Sequence, residues 1–142
     1  MPARFVGKKR RPASKGASAP IAPHFAMSKD FSFDISFCES ILRRDPDDLP
    51  TMELLAEKLT RAGRLDEGLA LDRRIVLANP DNAVSHYNLA CSLALTNRTR
   101  DAIKALRTAM EKGYREFSWL MEDPDLRRLH DLPEFSALIA EF

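Results

Sequence analysis

The chain has 142 residues, 44% hydrophobic and 30% charged, which suits one modest packed domain with or without a tail and excludes wholesale disorder. No uninterrupted apolar run reaches the roughly 18 residues that a membrane helix needs, so no span is expected. Two cysteines, Cys38 and Cys91, are too few for a disulfide scaffold and fit a reducing compartment, which points to the cytoplasm.

The net charge of +1 hides two unlike regions. Residues 1–30 carry seven Lys or Arg against one acid, Asp30, while residues 31–142 carry fifteen bases against twenty acids. The first region is rich in Pro, Ala, Ser and Gly, with too little apolar surface to offset the entropy of ordering, and reads as a disordered basic arm. Its run Lys8-Lys9-Arg10-Arg11 suits a solvated tail, or a patch for nucleic acid or an anionic surface. No run of apolar residues follows to make a secretory signal, although the composition has some likeness to an organelle transit peptide. Met27 stands at the composition break, which leaves a start codon assigned too early as a further explanation of residues 1–26.

Residues 31–44, FSFDISFCESILRR, are amphipathic at helical period and end at Asp45-Pro46. Phe31, Phe33 and Phe37 spread around the axis and cannot share one narrow stripe, which allows a contact of one of them with a second chain, or a helix start that bends back. Next comes a repeat. At an offset of 34, Pro46-Asp47 falls on Pro80-Asp81, Leu55-Ala56 on Leu89-Ala90, Leu59 on Leu93, Arg64 on Arg98 and Arg73 on Arg107. The two blocks, 45–78 and 79–112, join without a gap, and each reads as helix, tight turn, helix. In the first, Leu55, Leu59 and Ala62 recur at helical spacing until Gly63 supplies a left-handed stop. Leu65, Leu69, Ile75 and Val76 carry the second helix to Asn79-Pro80. In the second block Leu89, Leu93 and Ala94 lead to Asn97, which tolerates the conformation Gly63 adopts one repeat earlier. Ala102, Ile103, Leu106 and Ala109 line the helix that follows.

After Gly113 the spacing breaks. Asp123-Pro124 and Pro133 fit helix starts, and two or three short helices are expected to cover the open end with Trp119, Leu126, Leu129, Phe135, Leu138 and Ile139.

The period, the helix pair, the small residue after Leu and the closing Pro resemble the tetratricopeptide repeat (TPR). The resemblance covers about half the chain and is fairly specific, and residues 113–142 resemble the ends of bacterial TPR proteins. Gly68 and Asp72 depart from the family pattern, as do Met52 and His86, so the first block is expected to be looser. The resemblance implies an all-α, right-handed solenoid of six to seven helices: a half repeat over 31–44, repeats over 45–78 and 79–112, and a cap over 113–142. It also implies a concave groove holding a peptide or partner helix, displaying Glu53, Leu54, Glu57, Arg61, Val84, Tyr87, Asn88, Cys91 and Leu95. Asn88 fits the family's clamp for a terminal carboxylate, but Glu53 and Glu57 would repel one, so a basic or amphipathic segment with apolar anchors is the expected occupant.

Chemistry is sparse. His24, His86 and His130 share no metal-ligand spacing with each other or with the cysteines, so no metal or cofactor is expected. Cys91 has no base beside it in sequence, and no P-loop or serine-nucleophile motif is present. The expectation is a non-catalytic adaptor for a protein or peptide. The alternative is a docking module whose basic arm associates with nucleic acid or an anionic surface.

Overall fold

The computed structural model describes residues 30–142. The basic arm and its Lys8, Lys9, Arg10 and Arg11 lie outside the described residues. Seven α-helices follow in order: α1 (Ser32–Arg44), α2 (Leu49–Arg61), α3 (Leu65–Ala78), α4 (Ala83–Leu95), α5 (Thr99–Glu111), α6 (Phe117–Glu122) and α7 (Pro133–Glu141). A 3-10 helix over Pro124–Leu129 lies between the last two, and the described residues form no strand. The six to seven helices expected from sequence therefore become seven and a 3-10 turn.

The helix ends follow from the residues at them. Gly63 and Asn97 both have positive φ, 84° and 67°, and Asn97 is the one non-glycine residue among the described ones that does. At each, the next two amides reach back over the last turn: Gly63 N to Thr60 O and Arg64 N to Leu59 O, then Asn97 N to Ala94 O and Arg98 N to Leu93 O. These paired bonds satisfy carbonyls that would otherwise be orphaned at the helix end. The starts repeat as well. Asp48 and Asn82, 34 residues apart, each accept a bond from the amide three residues on, Thr51 N and Ser85 N.

Consecutive helices pack on one another from α1 to α5. The chain then turns back, laying the 3-10 helix against α4 and α7 against α5. Two apolar clusters result. The smaller joins Ile35 and Cys38 of α1 to Met52, Leu55, Ala56 and Leu59 of α2 and to Leu71 and Ile75 of α3. The larger is built on α4 and α5 and takes in Trp119, Leu126, Leu129, Phe135 and Leu138 from the C-terminal segment. Ile139 is only partly buried beside it.

Two departures in the first block, Asp72 and Gly68, have partners. Asp72, 1% exposed, accepts from Ser92 Oγ at 2.5 Å across the α3–α4 contact. Gly68 lets α3 approach α2 closely, since a Cβ there would stand 2.8 Å from Thr60 Oγ1. One repeat later the same pair of positions holds Ala94 and Ala102, both fully buried. A large–none pair thus replaces a small–small pair at equal total volume. We expect Gly68→Ala alone to destabilise by about 1 kcal/mol despite alanine's better helix propensity. Thr60→Ala/Gly68→Ala should recover that loss, so thermal melts of the double-mutant cycle should show favourable coupling. Additive melts would mean that the two residues do not share the contact.

Candidate functional site

The inner face expected from sequence is carried by α2 and α4, and the structure treats the two helices differently. On α2, Leu54 is 39% exposed and Arg61 is also exposed. Glu53 is half-buried, and Glu57 is buried. Glu57 lies 3.7 Å from both Arg61 Nε and Lys58 Nζ, and Lys58 also reaches Asp34 at 3.7 Å. The ammonium of Lys58 stands 5.6 Å from the centre of the Phe31 ring, a cation–π contact that helps hold the start of α1 on α2.

On α4, Tyr87, Asn88 and Cys91 are buried, and Val84 and Leu95 are half-buried. The cover is the chain's own C-terminal segment. Leu126 and Leu129 of the 3-10 helix are fully buried, and Arg128 Nη1 donates to the carbonyls of Ala94 at 3.0 Å and Leu95 at 2.8 Å. That guanidinium supplies the end of α4 with the donor and the positive charge it lacks. Tyr87, Asn88 and Cys91 therefore do not line an open groove. Burying these leucines against α4 removes apolar surface that a groove would leave wet.

A polar cluster pins the cover. Asp123, with no exposed surface, accepts from the Tyr87 hydroxyl and, at 3.7 Å, from the Cys91 thiol, both on Oδ2. Its Oδ1 accepts from the Asp125 amide at 2.9 Å, which caps the 3-10 helix. Asp125 in turn accepts from Arg61 Nη2 at 3.3 Å, tying the segment to α2. The Tyr114 ring stacks on Tyr87 with centroids 4.5 Å apart. Burial, followed by the nearby Asp125 carboxylate, lifts Asp123 from the usual 3.8 to about 6, while the bonds from Tyr87, the Asp125 amide and Cys91 hold it down. Burial foremost raises Tyr87 and Tyr114 well above the ordinary phenol range. The Cys38 thiol is raised too, by burial and then by Asp34.

Cys91, Asp123 and Asp125 bring three ligand-type atoms within 4.8 Å of one another. The donor set does not suit a metal. Both Asp123 oxygens already accept from protein donors, and the Asp125 oxygen is turned to a guanidinium, which a cation would have to displace. The histidines are separate: His86 Nε2 lies 2.7 Å from Pro80 O, and His130 Nε2 lies 3.3 Å from Leu120 O, where it closes the 3-10 helix.

Sequence reasoning missed Asp123, Asp125, Arg128 and Tyr114. One signal was available: α4, AVSHYNLACSLAL, contains no Asp, Glu, Lys or Arg, whereas α2 has four. A helix without a charged face is covered all round. No protein-family model matches the chain, and no solved structure matches it.

The raised Asp123 carboxyl has a stability consequence. The folded protein keeps this proton to higher pH than the unfolded chain, so protonation favours the fold. The contribution is full below the unfolded value of 3.8 and is lost as the pH rises through about 6. In urea titrations across this window, Asp123→Asn should flatten that part of the pH profile, whereas the exposed Asp47→Asn should leave it intact. A profile unchanged in Asp123→Asn would assign the titration elsewhere.

Proposed function

We propose that residues 31–142 form a right-handed TPR solenoid that acts as a non-catalytic, cytoplasmic adaptor for a protein or peptide. The observation that carries this reading is the recurrence of local structure at the sequence offset of 34. Left-handed Gly63 and Asn97, side-chain caps Asp48 and Asn82, and the close-packed pairs Thr60/Gly68 and Ala94/Ala102 all keep that register. Repeated helix pairs of this kind stack through neighbour contacts and present their first helices along one side. No helix among the described residues is long and apolar enough to cross a membrane. Cys38 and Cys91 are both buried, in keeping with structural rather than reactive thiols.

The partner-facing strip is narrower than the nine positions expected from sequence. With the C-terminal segment over α4, it centres on half-buried Glu53 and exposed Leu54 and Arg61 of α2, flanked by the half-buried Val84 and Leu95, while Glu57 is buried against Lys58 and Arg61. Exposed Leu54 is its apolar anchor, and Glu53 beside it favours a basic or amphipathic segment. So small a strip fits a transient interaction.

The test is affinity capture with the full chain, with Leu54→Lys, and with Lys8, Lys9, Arg10 and Arg11 all changed to Ser. A protein retained by the wild type and the arm variant but at least about tenfold depleted by Leu54→Lys carries the proposal. Retention by Leu54→Lys with loss in the arm variant, reversed by salt, overturns it in favour of anionic-surface association through the arm. Tyr87 is unsuitable as a control, because its ring is part of the larger core.

A further inference from the structure

One face of α1 is left partly uncovered. Phe33 and Phe37 stack with ring centroids 6.1 Å apart, yet they are 75% and 54% exposed. The 34-residue register identifies what a complete unit would have there. Phe37 stands where α3 has Leu71 and α5 has Ala105, both buried. Ile41 is half-buried where Ile75 and Ala109 are buried, and Asp34 is half-buried where Gly68 and Ala102 are buried. In α3 the neighbour at this position is the helix just before it, since a Cβ on Gly68 would meet Thr60 Oγ1 at 2.8 Å and the Ala56 carbonyl at 3.5 Å. Among the described residues, α1 has no such predecessor.

Stepping the register back once more locates a candidate in the chain itself. Ile21-Ala22 followed by Phe25-Ala26 stands 34 residues before Leu55-Ala56 and Leu59-Thr60, and 68 before Leu89-Ala90 and Leu93-Ala94. We propose that residues 21–26 dock on the uncovered face of α1, with Ile21 and Phe25 against the Phe37 side, and so close the first unit of the stack from its N-terminal side. The segment keeps the apolar register of a repeat helix, although its sequence includes Pro23.

The reach is sufficient. The described chain starts at Asp30, whose carboxylate accepts from Ser32 N at 2.9 Å at the start of α1. Five residues back, Phe25 commands up to about 17 Å of extended chain. Phe37 lies only about 8 Å along α1 from its first turn. A tether this short gives the segment an effective concentration on the order of millimolar, which a second copy of the chain does not match.

The test is hydrogen exchange on the full chain, read separately over α1 and over α4–α5, together with the solution mass. In Ile21→Asp/Phe25→Asp, α1 amides should exchange at least about tenfold faster, with α4 and α5 unchanged and the mass that of a monomer throughout. Unchanged α1 exchange overturns the proposal. So does a dimeric wild type that Phe33→Ser/Phe37→Ser dissociates, which would make a second copy the occupant. Leu54→Lys should leave α1 exchange unaltered, so failure of the adaptor reading and failure of this one are separable.

Discussion

The rest of the molecule depends on the burial of most of α4. Eight of its thirteen residues are buried, and none of the thirteen is Asp, Glu, Lys or Arg. Helix α3 packs on one side, α5 on another, and the returning 3-10 helix on the third. A helix in this position offers little solvated surface to which a carboxylate or ammonium could turn, so its buried polar atoms need partners in the interior. Asp72 meets Ser92, Asp123 meets Tyr87 and Cys91, and Arg128 meets the last carbonyls. Each of these contacts also fixes a neighbouring element in one place.

The Asp123 cluster shows how a carboxylate can fix the position of a segment whose apolar residues alone do not specify it. A buried charge without donors would cost several kcal/mol, but here three donors converge on two oxygens. The same residue begins the 3-10 helix, so the turn and the anchor are one side chain. Asp125, two residues later, extends the network to Arg61 on α2. The C-terminal segment therefore touches both α2 and α4, and it leaves Leu54 of α2 exposed.

Local features were legible in the sequence to a degree that long-range ones were not. Gly63 and Asn97 announced their backbone angles because few residues accept positive φ. Leu55, Leu59, Leu89 and Leu93 gave the helix period, and Trp119, Leu126, Leu129, Phe135 and Leu138 were recognisable as cover for an open end. Which surface they would cover was not. Tyr87 and Cys91 sit at positions that the resemblance to the repeat family assigns to the inner face, and a resemblance does not say whether that face is wet. The Tyr87–Asp123 contact spans 36 residues and the Arg61–Asp125 contact 64, separations at which spacing rules carry no information. Gly68 read as a loosening of the first repeat until Thr60, eight residues earlier, was seen to occupy the space.

The division of the interior into two apolar clusters bears on how unfolding would be observed. Helix α3 contributes Leu69 to the larger cluster and Leu71 and Ile75 to the smaller, and the Asp72–Ser92 bond joins α3 to α4. Parts of a protein that are joined by fewer contacts can open separately from one another. The chain's single tryptophan, Trp119, lies wholly in the larger cluster. Its fluorescence is thus a reporter of one half of the molecule, blind to α1 and α2, whereas far-ultraviolet circular dichroism weighs every helix. A gap between the two signals during denaturation would be a map of where the stack parts first.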